Sequence, residues 1–238
     1  MAGHLDQKLE ALAAELEGAL GEDLVSLVLY GSAARGDFRA ERSDVNLLLI
    51  LADASPAALR PIGPIVHRWV KAGHAPPLIF AEHGWRASTD VFPMEIEDMR
   101  PAHRVLRGRD PLKDLETSPA DQRQQLEREA LRTLLRLRAE YAASGPHPKA
   151  LGALLVASAG TCFALFRAVL RLKGTVPPQP PEELVQAAAR LVGFDPAAFD
   201  WVLARLAGRQ AAPLTQFDPI AERYLSAVER LAEYVDQM

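Results

Sequence analysis

A single cysteine, Cys162, occurs in 238 residues, so no internal disulfide can form and no zinc site can be built from cysteines. Set among Gly160, Thr161, Phe163 and Ala164, it reads as a small buried filler. A basic excess is also missing. The 27 lysines and arginines are outnumbered by 31 aspartates and glutamates, for a formal net charge of −4, so no general cationic surface invites nucleic acid. The opening residues MAGHLDQKLE lack the charged-then-apolar layout of a signal peptide, and a cytoplasmic location is the expectation. Long apolar runs are scarce too. Ala150 to Phe166, which carries no charge, is the only membrane candidate; it is short for a span, rich in small residues and followed by Arg167 and Arg171, so it reads as a central bundle helix and no membrane partner is expected. His67, His74, His83 and His103 show neither HExxH spacing nor a zinc pattern, and read as surface or core residues. No P-loop lysine motif and no internal repeat occur.

What is present is concentrated between Leu27 and Leu51, LVLYGSAARGDFRAERSDVNLLLIL. Leu27 to Tyr30 and Val45 to Leu51 are short apolar runs bounded by turn residues, which reads as two buried strands. Gly31 and Ser32 end the first, and Ala33 and Ala34 favour a helix behind them. A strand turning through Gly-Ser into a helix aims backbone N–H groups forward, a geometry suited to phosphate. Side chains alternate along a strand, so Asp44 and Asn46 share one face while Val45 enters the core.

Gly-Ser, a spacer of this length and then an Asp-hydrophobic-acid-hydrophobic pattern resembles the signature of the DNA polymerase beta-like nucleotidyltransferase superfamily. The YGSAARGD and SDVNLLLI segments look most like its bacterial branch, which includes the kanamycin-type and minimal nucleotidyltransferases. The resemblance implies that Ser32 holds nucleotide phosphate, that residues 44 and 46 bind Mg²⁺, and that ATP or another nucleoside triphosphate is the substrate. One position departs from the pattern: Asn46 stands where the second acid belongs. Its carbonyl can coordinate magnesium but brings no charge, and it cannot act as a general base. A loss of ~4 kcal/mol of transition-state stabilisation lowers a rate about a thousandfold.

The expected site is therefore Asp44, Asn46 and a third acid for catalysis and metal, with Gly31, Ser32, Arg35, Arg42 and Ser43 around the nucleotide. Arg35 and Arg42 are candidates for bidentate phosphate contacts, with solvated pairs to Asp37 or Glu41 as the other reading. Val91 to Glu97 reads as a half-buried strand, and Glu95 is the choice for the third acid because Met94 and Ile96 alternate with it; Glu97 and Glu82 stay open. Two functions follow. One is a magnesium-dependent transferase moving a nucleotidyl group, AMP if ATP is the donor, to a small-molecule or protein hydroxyl lodged between domains. The other is an inactive nucleotide-binding or protein-interaction module.

The rest of the chain is helical. Leu5, Leu9, Leu12, Leu16 and Leu20 recur at helical steps before Gly21. A helix begins at Ser55-Pro56, interrupted by Pro61 and Pro64, and Pro77 to Phe80 is a third strand candidate. From Ser118 onward, cap-then-proline signals and glycine stops mark helices over 119–143, 148–173, 181–192, 196–207 and 219–236. Arg128, Arg132 and Arg136, interspersed with Glu127 and Glu129, read as a solvated helix face. The expected class is α+β: a nucleotidyltransferase-like mixed sheet with helices over 1–110, then an all-α helical bundle over 118–238. Small apolar residues on the bundle helices leave room for a homodimer.

Overall fold

The computed structural model describes residues 2–35 and 45–238. The chain divides into two compact units, Met1–Ser118 and Pro119–Met238. The first opens with α1 (Ala2–Leu20), which buries Leu9, Leu12, Ala13 and Leu16 and ends where Gly21 takes a φ of +55°. Strand β1 (Leu24–Tyr30) follows, then the four-residue α2 (Ser32–Arg35) and β2 (Asn46–Leu51). Ser55 caps α3 (Pro56–Leu59) by accepting the Ala58 N–H; Pro61 lies in a 3-10 turn, and the helix resumes as α4 (Gly63–Lys71). Strand β3 (Leu78–Ala81) runs into α5 (Glu82–Arg86), and α6 (Pro93–Met99) precedes β4 (His103–Gly108).

The four strands form one mixed sheet in the order β3-β2-β1-β4. β1 is antiparallel to both its neighbours, whereas β2 and β3 are parallel, joined by the α3–α4 crossover. Alternation sorts the side chains onto two faces. Leu27, Leu29, Leu47, Leu49 and Leu51 meet α1, Ile62 and Trp69 on one side. Val28, Leu48 and Ile50 meet Trp85, Ile96, Met99 and Leu112 on the other. Each of these leucines, fully buried, is worth about 1.5–3 kcal/mol of transfer free energy, so a slip by one residue would cost far more than any hydrogen bond gained.

The strand expected over Val91 to Glu97 is instead α6. Pro93 sits in its first turn, and Phe92, Ile96 and Met99 supply a sheet-facing stripe at the helical period. Met94 and Ile96 are both buried, but as neighbours around a helix, not as one face of a strand. The fourth strand is His103–Gly108, whose sequence HRVLRG hides its pattern behind two arginines. Arg104 pairs with Asp6, and Arg107 with Glu10 and Glu17, so acids of α1 neutralise both arginines at the surface.

The second unit is all helix among the described residues: α7 (Pro119–Ser144), α8 (Pro148–Leu172), α9 (Pro181–Val192), α10 (Asp200–Leu206) and α11 (Pro219–Asp236). The expected 196–207 helix is split, with a 3-10 turn over Pro196–Phe199 before α10. Asp195 and Asp218 act as N-caps, accepting from Ala197 N and Ile220 N. Among the described residues α8 is the one helix long and apolar enough to cross a membrane, and it is largely buried inside the unit. At its centre Tyr224, Ser158 and Cys162 form a buried polar cluster, the phenol oxygen 3.0 Å from Ser158 Oγ and 3.2 Å from Cys162 Sγ.

Candidate functional site

Residues singled out in the sequence converge at the end of the sheet where β1 stops and β2 starts. Tyr30, the last residue of β1, is paired with Asn46 on one side and His103 on the other. Cross-strand partners point to the same face. Asn46, Tyr30 and His103 therefore form a row across three strands, on the face where Val28 and Leu48 meet α6. Asn46 is half-buried between the fully buried Val45 and Leu47, as the alternation required.

Gly31 turns the chain away from this row. Its φ is +78°, its N–H donates to the Ala102 carbonyl at 3.0 Å, and its own carbonyl accepts from Ala34 N at 3.1 Å. A Cβ at this position would stand 3.1 Å from Asn46 Nδ2. Both the left-handed backbone and the approach of the carboxamide thus call for glycine. Ser32 begins α2 and is half-buried, while Ala33 and Ala34 pack against the apolar cluster under α1. The backbone of Arg35 ends this helix. Arg42, Ser43 and Asp44 lie outside the described residues, as does Asp37, so the separation of Ser32 from Asp44 lies outside them too.

Glu95 reaches the same region by a route the sequence did not suggest. On α6 it follows Phe92 by three residues and precedes Met99 by four, which sets it on the sheet-facing stripe. Its carboxylate lies near Tyr30: burial first, and the Glu95 charge second, push the Tyr30 phenol up to about 12. The two other acids left open are engaged structurally. Glu97 accepts from Arg100 Nε and from Thr117 Oγ1, each at 2.8 Å, and Arg100 also donates to the carbonyls of Leu112 and Leu115. Glu82 is shared by Arg86 and Arg109, at the opposite end of the sheet.

Tyr30 and His103 are the residues of the row that the sequence does not single out. Tyr30 reads only as the end of an apolar run, although it directly precedes Gly-Ser. His103 cannot be located without β4. Its ring is fixed at both nitrogens, Nδ1 to the Arg100 carbonyl at 3.0 Å and Nε2 to Asp110 Oδ2 at 3.3 Å. Asp110 in turn accepts from Leu112 N at 2.9 Å, tying the segment after β4 to the row.

Among the described residues no group of three His, Cys, Asp or Glu side chains is gathered closely enough to hold a metal ion. Asn46 of the row and Glu95 of α6 carry hard oxygen donors, a carboxamide and a carboxylate, which are the class magnesium takes.

No protein-family model matches the chain, and no curated protein matches it by sequence. Among solved structures, spectinomycin adenyltransferase AAD(9) from Enterococcus faecialis, with ATP and spectinomycin, matches at a TM-score of 0.60 and 11% identity over 95% of this chain and 98% of that one. At that identity the likeness is one of fold. The chain has the α+β architecture of a nucleotidyltransferase, a mixed sheet with helices followed by a helical bundle.

Proposed function

We propose that the first unit receives a nucleoside triphosphate with Mg²⁺ at the Gly31–Asn46 end of its sheet, and that the protein transfers a nucleotidyl group to a hydroxyl of a small molecule. The observation that carries this reading is the convergence of Gly31, Asn46 and Glu95 at one sheet end in a chain with a nucleotidyltransferase fold. The ATP and spectinomycin of the adenyltransferase support ATP as donor and a small organic alcohol as acceptor.

In this reading the acceptor oxygen attacks the α-phosphorus, the bond to the β-phosphate oxygen breaks, and pyrophosphate leaves. Charge grows on the nonbridging and leaving oxygens, so most of the work is electrostatic and positional. Asp44, Asn46 and Glu95 would hold the magnesium, which neutralises triphosphate charge. Ser32, set forward by the Gly31 turn, would bring its hydroxyl to the phosphates, with Arg35, Arg42 and Ser43 as further phosphate contacts. The Glu95 carboxylate, on the face of the row, takes the acceptor proton. Asn46 contributes an oxygen without charge, which lowers the anionic character of the site by one unit.

The test is transfer of label from α-³²P-ATP to a panel of hydroxylated small molecules, with Asp44→Ala as control. Label incorporation abolished by that substitution supports the reading; no Mg-dependent ATP binding in calorimetry refutes it. A second reading has Asn46 as its specific support: a triphosphate is bound and transfer is lost. Binding without incorporation across the panel, with incorporation gained by Asn46→Asp, selects it.

A further inference from the structure

The second unit holds a groove of about 780 Å³ between α9, α10 and the chain that follows α10. Its floor is apolar, with Val185 of α9 and Leu203 of α10 both buried. Charged and amide side chains stand around this floor. The chain passes from α9 through the 3-10 turn over Pro196–Phe199 into α10, so Asp200, the first residue of α10, enters from the end where α9 stops. Arg190 lines the groove from the last turn of α9. Beyond α10 the chain returns to the end where α9 starts, and there Arg209 Nη2 lies 3.6 Å from Glu182 Oε1. The two ends differ in how their charges are met. Arg209 and Glu182 neutralise each other, whereas among the described residues Arg190 and Asp200 pair neither with each other nor with any other side chain.

We propose that this groove binds a free α-amino acid with a large apolar side chain, its carboxylate on Arg190 and its ammonium on Asp200. An α-amino acid carries both charges on one carbon, so both must be met at one place, and the end of the groove where α9 stops supplies a cation and an anion there. A guanidinium donates paired N–H groups to a carboxylate, and a carboxylate accepts from an ammonium, which are the stronger class of hydrogen bond. A ligand with one charge alone would leave one of the two groups unmet. The side chain then covers Val185 and Leu203 and runs toward Gln186, about 6 Å back along α9 from Arg190. An apolar floor with a few polar groups, in a volume of a few hundred Å³, is the usual make-up of a small-molecule site. The inference uses residues of the second unit alone and stands apart from the nucleotide reading above.

Calorimetry of the full chain with leucine, phenylalanine and tryptophan tests this, with the N-acetyl and amide derivatives of each as single-charge controls. At least one of the three amino acids should bind saturably at one site per chain, and its two derivatives should bind about tenfold more weakly or worse. Arg190→Gln should weaken the amino acid by a similar factor and leave the amide derivative unaffected, because that ligand has no carboxylate to lose. Asp200→Asn should do the same for the amino acid and leave the N-acetyl derivative unaffected. Both positions are exposed, so the urea midpoints of the two variants should stay at the parent value, which separates loss of a contact from loss of the fold. No saturable binding of any of the three amino acids overturns the inference. So does binding that survives both substitutions, or derivatives that bind as tightly as the parent amino acid.

Discussion

Replacing Gly31 by alanine separates two demands that the turn makes on its residue. The first is the backbone: φ is +78°, and a side chain in the left-handed region costs about 1–2 kcal/mol. The second is space, because the added Cβ would meet Asn46 Nδ2 at 3.1 Å, inside ordinary van der Waals distance. A carboxamide can swing aside, at the cost of an off-rotamer torsion of about 0.5–1.5 kcal/mol. Gly31→Ala should therefore lower stability by about 2–3 kcal/mol, a large part of the 5–15 kcal/mol typical of a domain but not enough to unfold it. Urea denaturation of Gly31→Ala, Asn46→Ala and the double variant reads both parts. In the Asn46→Ala background the contact is gone, and the cost should fall to the backbone component of about 1–2 kcal/mol. A Gly31→Ala variant as stable as the parent would refute the account of the turn. Equal costs in the two backgrounds would refute the approach of Asn46 to Gly31.

On the proposed metal role of residue 46, Asn46→Asp adds a charge there and should tighten Mg²⁺-dependent ATP binding by about tenfold, roughly 1.4 kcal/mol; unchanged affinity in calorimetry would remove residue 46 from the proposed metal set. Gly108→Ala should be far more damaging than Gly31→Ala, because its Cβ would lie 2.0 Å from the Val25 carbonyl oxygen at a φ of +74°. A backbone atom inside the sheet cannot swing aside, so a loss above about 4 kcal/mol, or failure to fold, is expected by circular dichroism. Burial pushes the Cys162 thiol up to about 11 in the folded chain, so the native state keeps a proton that the unfolded state has already lost. That contribution is complete below the ordinary thiol range and disappears as pH rises toward 11; Cys162→Ala should flatten the alkaline limb of a stability-versus-pH curve. Tyr224→Phe leaves the Ser158 hydroxyl bonded to the Leu155 carbonyl but removes both phenol contacts, and should cost about 1–2 kcal/mol in denaturation.

Local and long-range signals in the sequence carry into three dimensions differently. Helix limits in the second unit follow the caps and prolines closely, as at Pro181–Val192 and Pro219–Asp236, because those signals act within one turn. β1 and β2 follow from uninterrupted apolar runs with branched residues, which have few other ways to be buried. PMEIEDM misleads because a few alternating residues fit a strand as well as they fit one side of a helix. Only the Phe92–Ile96–Met99 spacing, which extends past the alternating residues on either side, separates the two. HRVLRG escapes notice for the opposite reason: its arginines are neutralised by Asp6, Glu10 and Glu17, nearly a hundred residues earlier in the chain.

By itself the sequence determined that a strand ends at Gly31, that an amide and not a carboxylate stands at the start of the second strand, and that helices fill the chain from Pro119 onward. Each depends on a few adjacent residues and on steric rules that operate at that range. Only the tertiary structure decided that Glu95 faces the sheet from a helix, that Glu97 and Glu82 are held by arginines, and that Tyr30 and His103 complete the row beside Asn46. Those relations depend on pairing register between strands that end at residue 30 and begin at residues 46 and 103. Register is set by the packing of two sheet faces at once, and no stretch of contiguous sequence contains that information.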